Sequence, residues 1–106
     1  MLVSNIDYIP GKKIEVLGLA VGSMVQSKHF GKDFMAGMKN LVGGELKAYS
    51  EMLDEARQTA TQRMMNTAKS MGADAILNVR YTSSAVVQGA AEVTAYGTAV
   101  RIIGDA

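Results

Sequence analysis

The sequence predicts an α+β domain in which a small, mainly antiparallel sheet packs on one long amphipathic helix. Three patterns carry that expectation. Over residues 45–71 the apolar positions Leu46, Tyr49, Met52, Leu53, Ala56, Ala60, Met64, Ala68 and Met71 recur at helical spacing, the stripe of a helix with about 3.6 residues per turn. Over residues 14–25 alternation puts Ile14, Val16, Ala20 and Met24 on one face and Leu17, Leu19, Val21 and Val25 on the other. Both faces are apolar, as in a strand covered on both sides. After the helix, residues 75–82 and 92–103 read as two more strands. The order is β-β-α-α-β-β, grouped rather than strictly alternating, which is the α+β signature.

Each element has its local reasons. Leu2 and Val3 can start a short strand, and Pro10-Gly11 supplies a turn, because proline presets φ at the first central position and glycine accepts a positive φ at the second. Gly18 and Gly22 inside the second strand mark bulges, bends or the close approach of another backbone. A first helix is predicted over residues 30–41, where Phe30, Phe34, Met38 and Leu41 share one stripe; Gly43-Gly44 then breaks it. In the long helix Glu45 complements the positive start and Lys69 the negative end, and Gly72 is a left-handed cap. At about 1.5 Å per residue that helix outruns a compact domain of this length, so its far end is expected to reach a neighbouring subunit. In the third strand Ile76 opposes Leu77, Val79 and Tyr81. In the last, Val93, Ala95 and Ala99 oppose Tyr96, Val100 and Ile102. Residues 83–90 read as the loop between these strands, with Gly89 as its turn.

Composition limits the function. One proline and no linker in 106 residues make a single domain, 1–106, and 48% apolar residues are ample for a core of this size. Eleven basic against ten acidic side chains leave a charge of +1, and Lys12-Lys13 is the only adjacent basic pair. Nucleic-acid binding needs clustered cations, so no nucleic acid is expected as partner. With no cysteine there are no disulfides, thiolates or cysteine-bound zinc. No signal peptide and no membrane span is read, so the expected compartment is cytoplasmic.

No side-chain constellation names a reaction. His29 is the only histidine, and metal sites need several converging ligands. Glu51, Asp54 and Glu55 form an acidic patch on the long helix, and Glu51 and Glu55 share a face. No histidine accompanies them, so the patch reads as a solvated or subunit-facing strip. Met38, Met52, Met64 and Met71 sit on apolar stripes, where methionine is an adaptable core filler. Gly43-Gly44 lacks the Gly-Lys-Ser/Thr of a nucleotide loop. Serines and aspartates have no recognisable base partner. No catalytic, cofactor or metal residue is assigned.

From Lys39 to Arg57 the chain reads Lys-Asn-Leu-Val-Gly-Gly-Glu-Leu-Lys-Ala-Tyr-Ser-Glu-Met-Leu-Asp-Glu-Ala-Arg. This run closely resembles the YbjQ-like family, small bacterial proteins that have carried a heavy-metal-binding label. The resemblance continues through Ala68-Lys69, through Met71-Gly72-Ala73-Asp74-Ala75-Ile76 and to Ala95-Tyr96-Gly97-Thr98-Ala99-Val100; Ile9-Pro10-Gly11 and Glu15-Val16-Leu17-Gly18 also fit. It implies a dodecin-like subunit, a sheet wrapped on a long helix, and assembly as a pentameric ring. The family's metal label transfers to no residue here.

The sequence therefore leads to the expectation of a non-enzymatic, self-assembling homo-oligomer with a binding or scaffolding role and no cofactor. The second reading is a binder of metal ions or small ligands at a subunit interface.

Overall fold

A computed structural model describes residues 1–27, 44–87 and 90–106. In chain order the elements are β1 (Leu2–Val3), β2 (Lys12–Ser27), α1 (Gly44–Ser70), β3 (Ala75–Val87) and β4 (Ala90–Asp105). The helix expected over residues 30–41, with Met38, lies outside the described residues. The fold is α+β: one helix on a four-stranded sheet of order β1-β3-β4-β2. The sheet is mixed. β4 runs antiparallel to both β2 and β3, whereas β1 runs parallel to β3. The parallel step follows from the N-terminal segment running beside β3: Ser4 N–H donates to Ile76 O at 3.0 Å and Asn78 N–H to Ile6 O at 2.9 Å.

Sequence punctuation marks the boundaries. Lys12 N–H donates to Ile9 O at 3.0 Å across Pro10-Gly11, and Gly11 has φ 74°, as the turn requires. Helix α1 ends in a left-handed cap: Gly72 has φ 84°, its N–H donates to Lys69 O, and Ala73 N–H reaches back to Ala68 O, both at 3.0 Å.

The buried side of α1 is Met52, Ala56, Ala60, Met64 and Ala68, one residue in four. Leu53 is only half-buried, on the flank of that stripe. Across from it lie Ala20, Ile76, Val79, Val93, Ala95 and Ala99, which complete the main core. Helix and sheet meet most closely at Gly22. A Cβ there would collide with the amide nitrogen of Met64 and the carbonyl oxygen of Ala60, so only glycine fits.

Two bulges alter the expected faces. Register shifts between Val16 and Gly18, and Val16 therefore lies on the face of Leu19 and Val21 rather than with Ala20 and Met24. A second irregularity between Leu77 and Arg80 holds Asn78 at φ 52°. It brings Val79 to the side of Ile76, while Leu77 turns to the opposite face with Ala75 and Val100, in a small cluster covered by Ile9 and Ile14. The β3–β4 connection is also shorter than expected. Ser83 to Ala85 pair with Val93 to Ala91 as strand, and Gly89 lies outside the described residues. Because β2 and β4 each hold 16 residues, the sheet is as long as the helix. The molecule measures 57 × 22 × 15 Å, so the helix does not outrun the domain.

Gly22→Ala is expected to destabilise the fold by about 3 kcal/mol or more, the upper end of overpacking, because backbone atoms obstruct the new methyl. Met52→Ala should cost about 2–5 kcal/mol and Leu53→Ala clearly less, as urea unfolding of the three variants will read. Equal losses at 52 and 53 would show the helix turned otherwise.

Candidate functional site

The chain's most unusual surface is the sheet face that α1 does not cover. On β2, Val16, Leu19 and Val25 are 65%, 64% and 54% exposed, and Val21 is 40% exposed. Cross-strand neighbours on this face are Tyr96 and Thr98 of β4, beside Val21 and Leu19. At one end Ile9 and Ile14 cover Leu77 and Val100; the rest has no cover among the described residues. Val16, Leu19 and Val21 form an apolar row, the kind that marks an interaction surface; Ser23, 2.9 Å from Thr94 Oγ1, separates it from Val25, which stands opposite Glu92. The sequence places Leu17, Leu19, Val21 and Val25 together on this face; the bulge adds Val16 and turns Leu17 to pack against the main core instead.

On the helix side, an open groove of about 750 Å³ runs between α1 and β2, lined by Met24, Gln26, Glu55, Gln58, Thr59, Gln62 and Arg63. Gln26 Nε2 donates to Glu55 Oε2 at 3.0 Å. Asp54 instead pairs with Arg57 at 2.6 Å, one turn along the same helix. The acidic patch of Glu51, Asp54 and Glu55 is thus split between separate partners, and all three side chains face solvent. No group of three His, Asp or Glu side chains converges among the described residues. His29 and Gly43 lie outside them. Met52 and Met64 are fully buried, and Met71 packs on the core, so these sulfurs fill space rather than converge. A smaller crevice of about 120 Å³ lies between Leu53, Arg57, Tyr81, Ser83 and Val93, with the Tyr81 hydroxyl 2.8 Å from Thr61 Oγ1.

One arrangement gave no signal in the sequence. β2 is an edge strand, and α1 reaches over that edge. Arg63 Nη1 donates to Ser23 O at 2.7 Å, and Thr67 Oγ1 to Val21 O at 3.4 Å. Helix side chains thereby occupy carbonyls that an edge would otherwise offer to another chain.

Fold and surface together define a two-layer α+β domain whose distinctive feature is an apolar sheet face left uncovered among the described residues. The chain belongs to the YbjQ family: the profile described as "Putative heavy-metal-binding" matches residues 1–103. A UPF0145 protein of Clostridium novyi is 61% identical over 103 residues, covering 97% of this chain and 100% of its own. Another from Alkaliphilus metalliredigens is 56% identical over 103 residues, with the same coverage of 97% and 100%. One from Thermus thermophilus is 53% identical over 103 residues, 96% of this chain and 90% of its own. Among solved structures, a DUF74-family protein of Pediococcus pentosaceus superposes with a TM-score of 0.65 at 16% identity, covering 97% of this chain and 98% of that one. That likeness speaks to fold alone.

Calorimetry with zinc and copper in chelator-buffered solution should show only weak binding, because soft ions require thiolates or several imidazoles. Stoichiometric, sub-micromolar uptake lost in His29→Ala would contradict this.

Proposed function

We propose that this chain is the subunit of a closed homo-oligomeric ring with a non-enzymatic binding or scaffolding role in the cytoplasm. The observation that carries the reading is the exposed row Val16, Leu19, Val21 and Val25. A monomer with these side chains in water forgoes their burial, worth about 1.5–3 kcal/mol for each fully covered valine or leucine. A second copy is the partner always present at matching concentration. A head-to-tail contact that closes on itself covers the row in every subunit, whereas an open one would run into filaments. The subunit count of five comes from the family resemblance, as does the comparison with the dodecin subunit. β2, β4 and β3 form the antiparallel part of the sheet that such a subunit lays against its helix.

The second reading is a metal-ion or small-ligand binder at a subunit interface. The family's description favours it, and so does the polar groove beside Glu55 and Arg63, whose open side a neighbouring copy would close. A ligand that binds only the native assembly raises its stability by RT ln(1 + [L]/Kd), so thermal shifts across a metal and metabolite panel separate the readings.

Sedimentation velocity at micromolar concentration should give a single species near five times 11.3 kDa for the wild type. Val21→Glu should dissociate it and lower thermal stability together, because an unpaired charge is costly in an apolar contact. In an isolated subunit the same glutamate is solvated and tolerated. A variant that keeps the wild-type mass would remove the uncovered face from the interface.

A further inference from the structure

The sheet has two long edges, and they are treated differently. β2 lies at one edge with its Val21 and Ser23 carbonyls held by Thr67 and Arg63. At the other edge β1 pairs only with Ala75 and Ile76 of β3, and the N-terminal segment takes Asn78 N–H and Val79 N–H through Ile6 and Ser4 carbonyls. Beyond Val79 the edge of β3 has no partner among the described residues. Helix α1 packs mainly over β2 and β4 and meets this part of β3 through a side chain, the Tyr81 hydroxyl 2.8 Å from Thr61 Oγ1, so no α1 group bonds the edge's backbone among the described residues.

After the exposed charge of Arg80, the sequence does nothing further to blunt the edge. Tyr81-Thr82-Ser83-Ser84-Ala85-Val86-Val87 contains no charge, proline or glycine, the devices by which exposed edges avoid pairing. Tyr81, Thr82, Val86 and Val87 within it are strand-forming residues. The register fixes which groups face outward. Val79 N–H points away from β4, to Ser4 O at 3.0 Å, so the two-residue alternation of a strand directs the backbone groups of Tyr81, Ser83 and Ala85 outward as well.

We propose that β3 pairs antiparallel with β3 of a second copy about a two-fold axis at Ser83. The free stretch is bounded by Val79, already bonded to Ser4, and by the irregularity after Ala85. Ser83 is its midpoint. Centring there sets Tyr81 of each copy opposite Ala85 of the other, so every outward donor in the stretch meets an outward acceptor. The pairing also brings Thr82 opposite Ser84, a favourable hydroxyl pair. A two-fold contact is self-complementary, and it is distinct from the head-to-tail contact of the ring. It rests on the reading that the chain self-associates and not on ring closure; its role is to join one ring to a second.

The chain has no cysteine, so single thiols report cleanly. Ser83→Cys in the full chain should form an intermolecular disulfide under mild oxidant, since directly opposed strand residues lie within the span a disulfide bridges. Thr82→Cys and Ser84→Cys alone should cross-link at least several-fold less, and a mixture of the two should cross-link to each other. Ser83→Pro, which removes an outward donor that the subunit's own sheet does not use, should halve the native mass while circular dichroism stays unchanged. Ser83→Cys that does not cross-link while its ring mass persists would overturn the two-fold contact and leave the ring standing. A folded monomer in native mass spectrometry would overturn both.

Discussion

At Gly22 the helix and the sheet meet backbone to backbone. Gly22 lets β2 meet α1 where a single methyl would strike Met64 N and Ala60 O, and the rest of the packing follows from that distance. A helix held so near a sheet has room mainly for small side chains. Eight of the fifteen buried apolar residues among those described are alanines, with Met52 and Met64 the larger members of the helix stripe. Such a core is tight but thin. It buries little apolar area per residue, and burial of apolar area is the main favourable contribution to folding.

The same contact fixes what remains uncovered. With α1 seated over β2 and β4, one face of the sheet is filled, and the other carries Leu19, Val21 and Val25 into solvent. With alanine at about half of its described buried apolar positions, the core leaves Val16, Leu19, Val21 and Val25 outside it. Under the proposed assembly this is one design: the subunit core is kept thin, and a row of valine and leucine on β2 is left for contacts between copies. The helix also caps its own edge of the sheet through Arg63 and Thr67, so the contact that sets the core also limits where another strand can pair.

Much of this was legible in the sequence. The helix, the Pro10-Gly11 turn and the Gly72 cap rest on local chemistry, and each lies where its residues place it. The glycines of β2 also spoke plainly: Gly18 flanks a bulge and Gly22 admits a backbone. What failed was parity. A bulge adds one residue to one strand and reverses every later side chain, and neither Leu17 nor Asn78 announces itself as the extra residue. Beyond Thr82 the sequence reads as loop because serine and alanine carry weak strand preferences, and pairing with Ala91 to Val93 makes it strand. The candidate face was readable because Leu19, Val21 and Val25 follow the last bulge in β2. The capping of that strand was not. Arg63 and Ser23 lie 40 positions apart, and no local pattern connects them.

The central claim is that the apolar face of β2 is covered in the native protein by another copy. Solvent access at that face tests it most directly. A single thiol at Leu19→Cys should react with a small maleimide far more slowly in native buffer than one at Lys69→Cys, on the exposed last turn of α1, and at the same rate once both are unfolded in urea. Equal rates in native buffer would mean that water already reaches the face, and the account of this chain as a self-covering subunit would be contradicted.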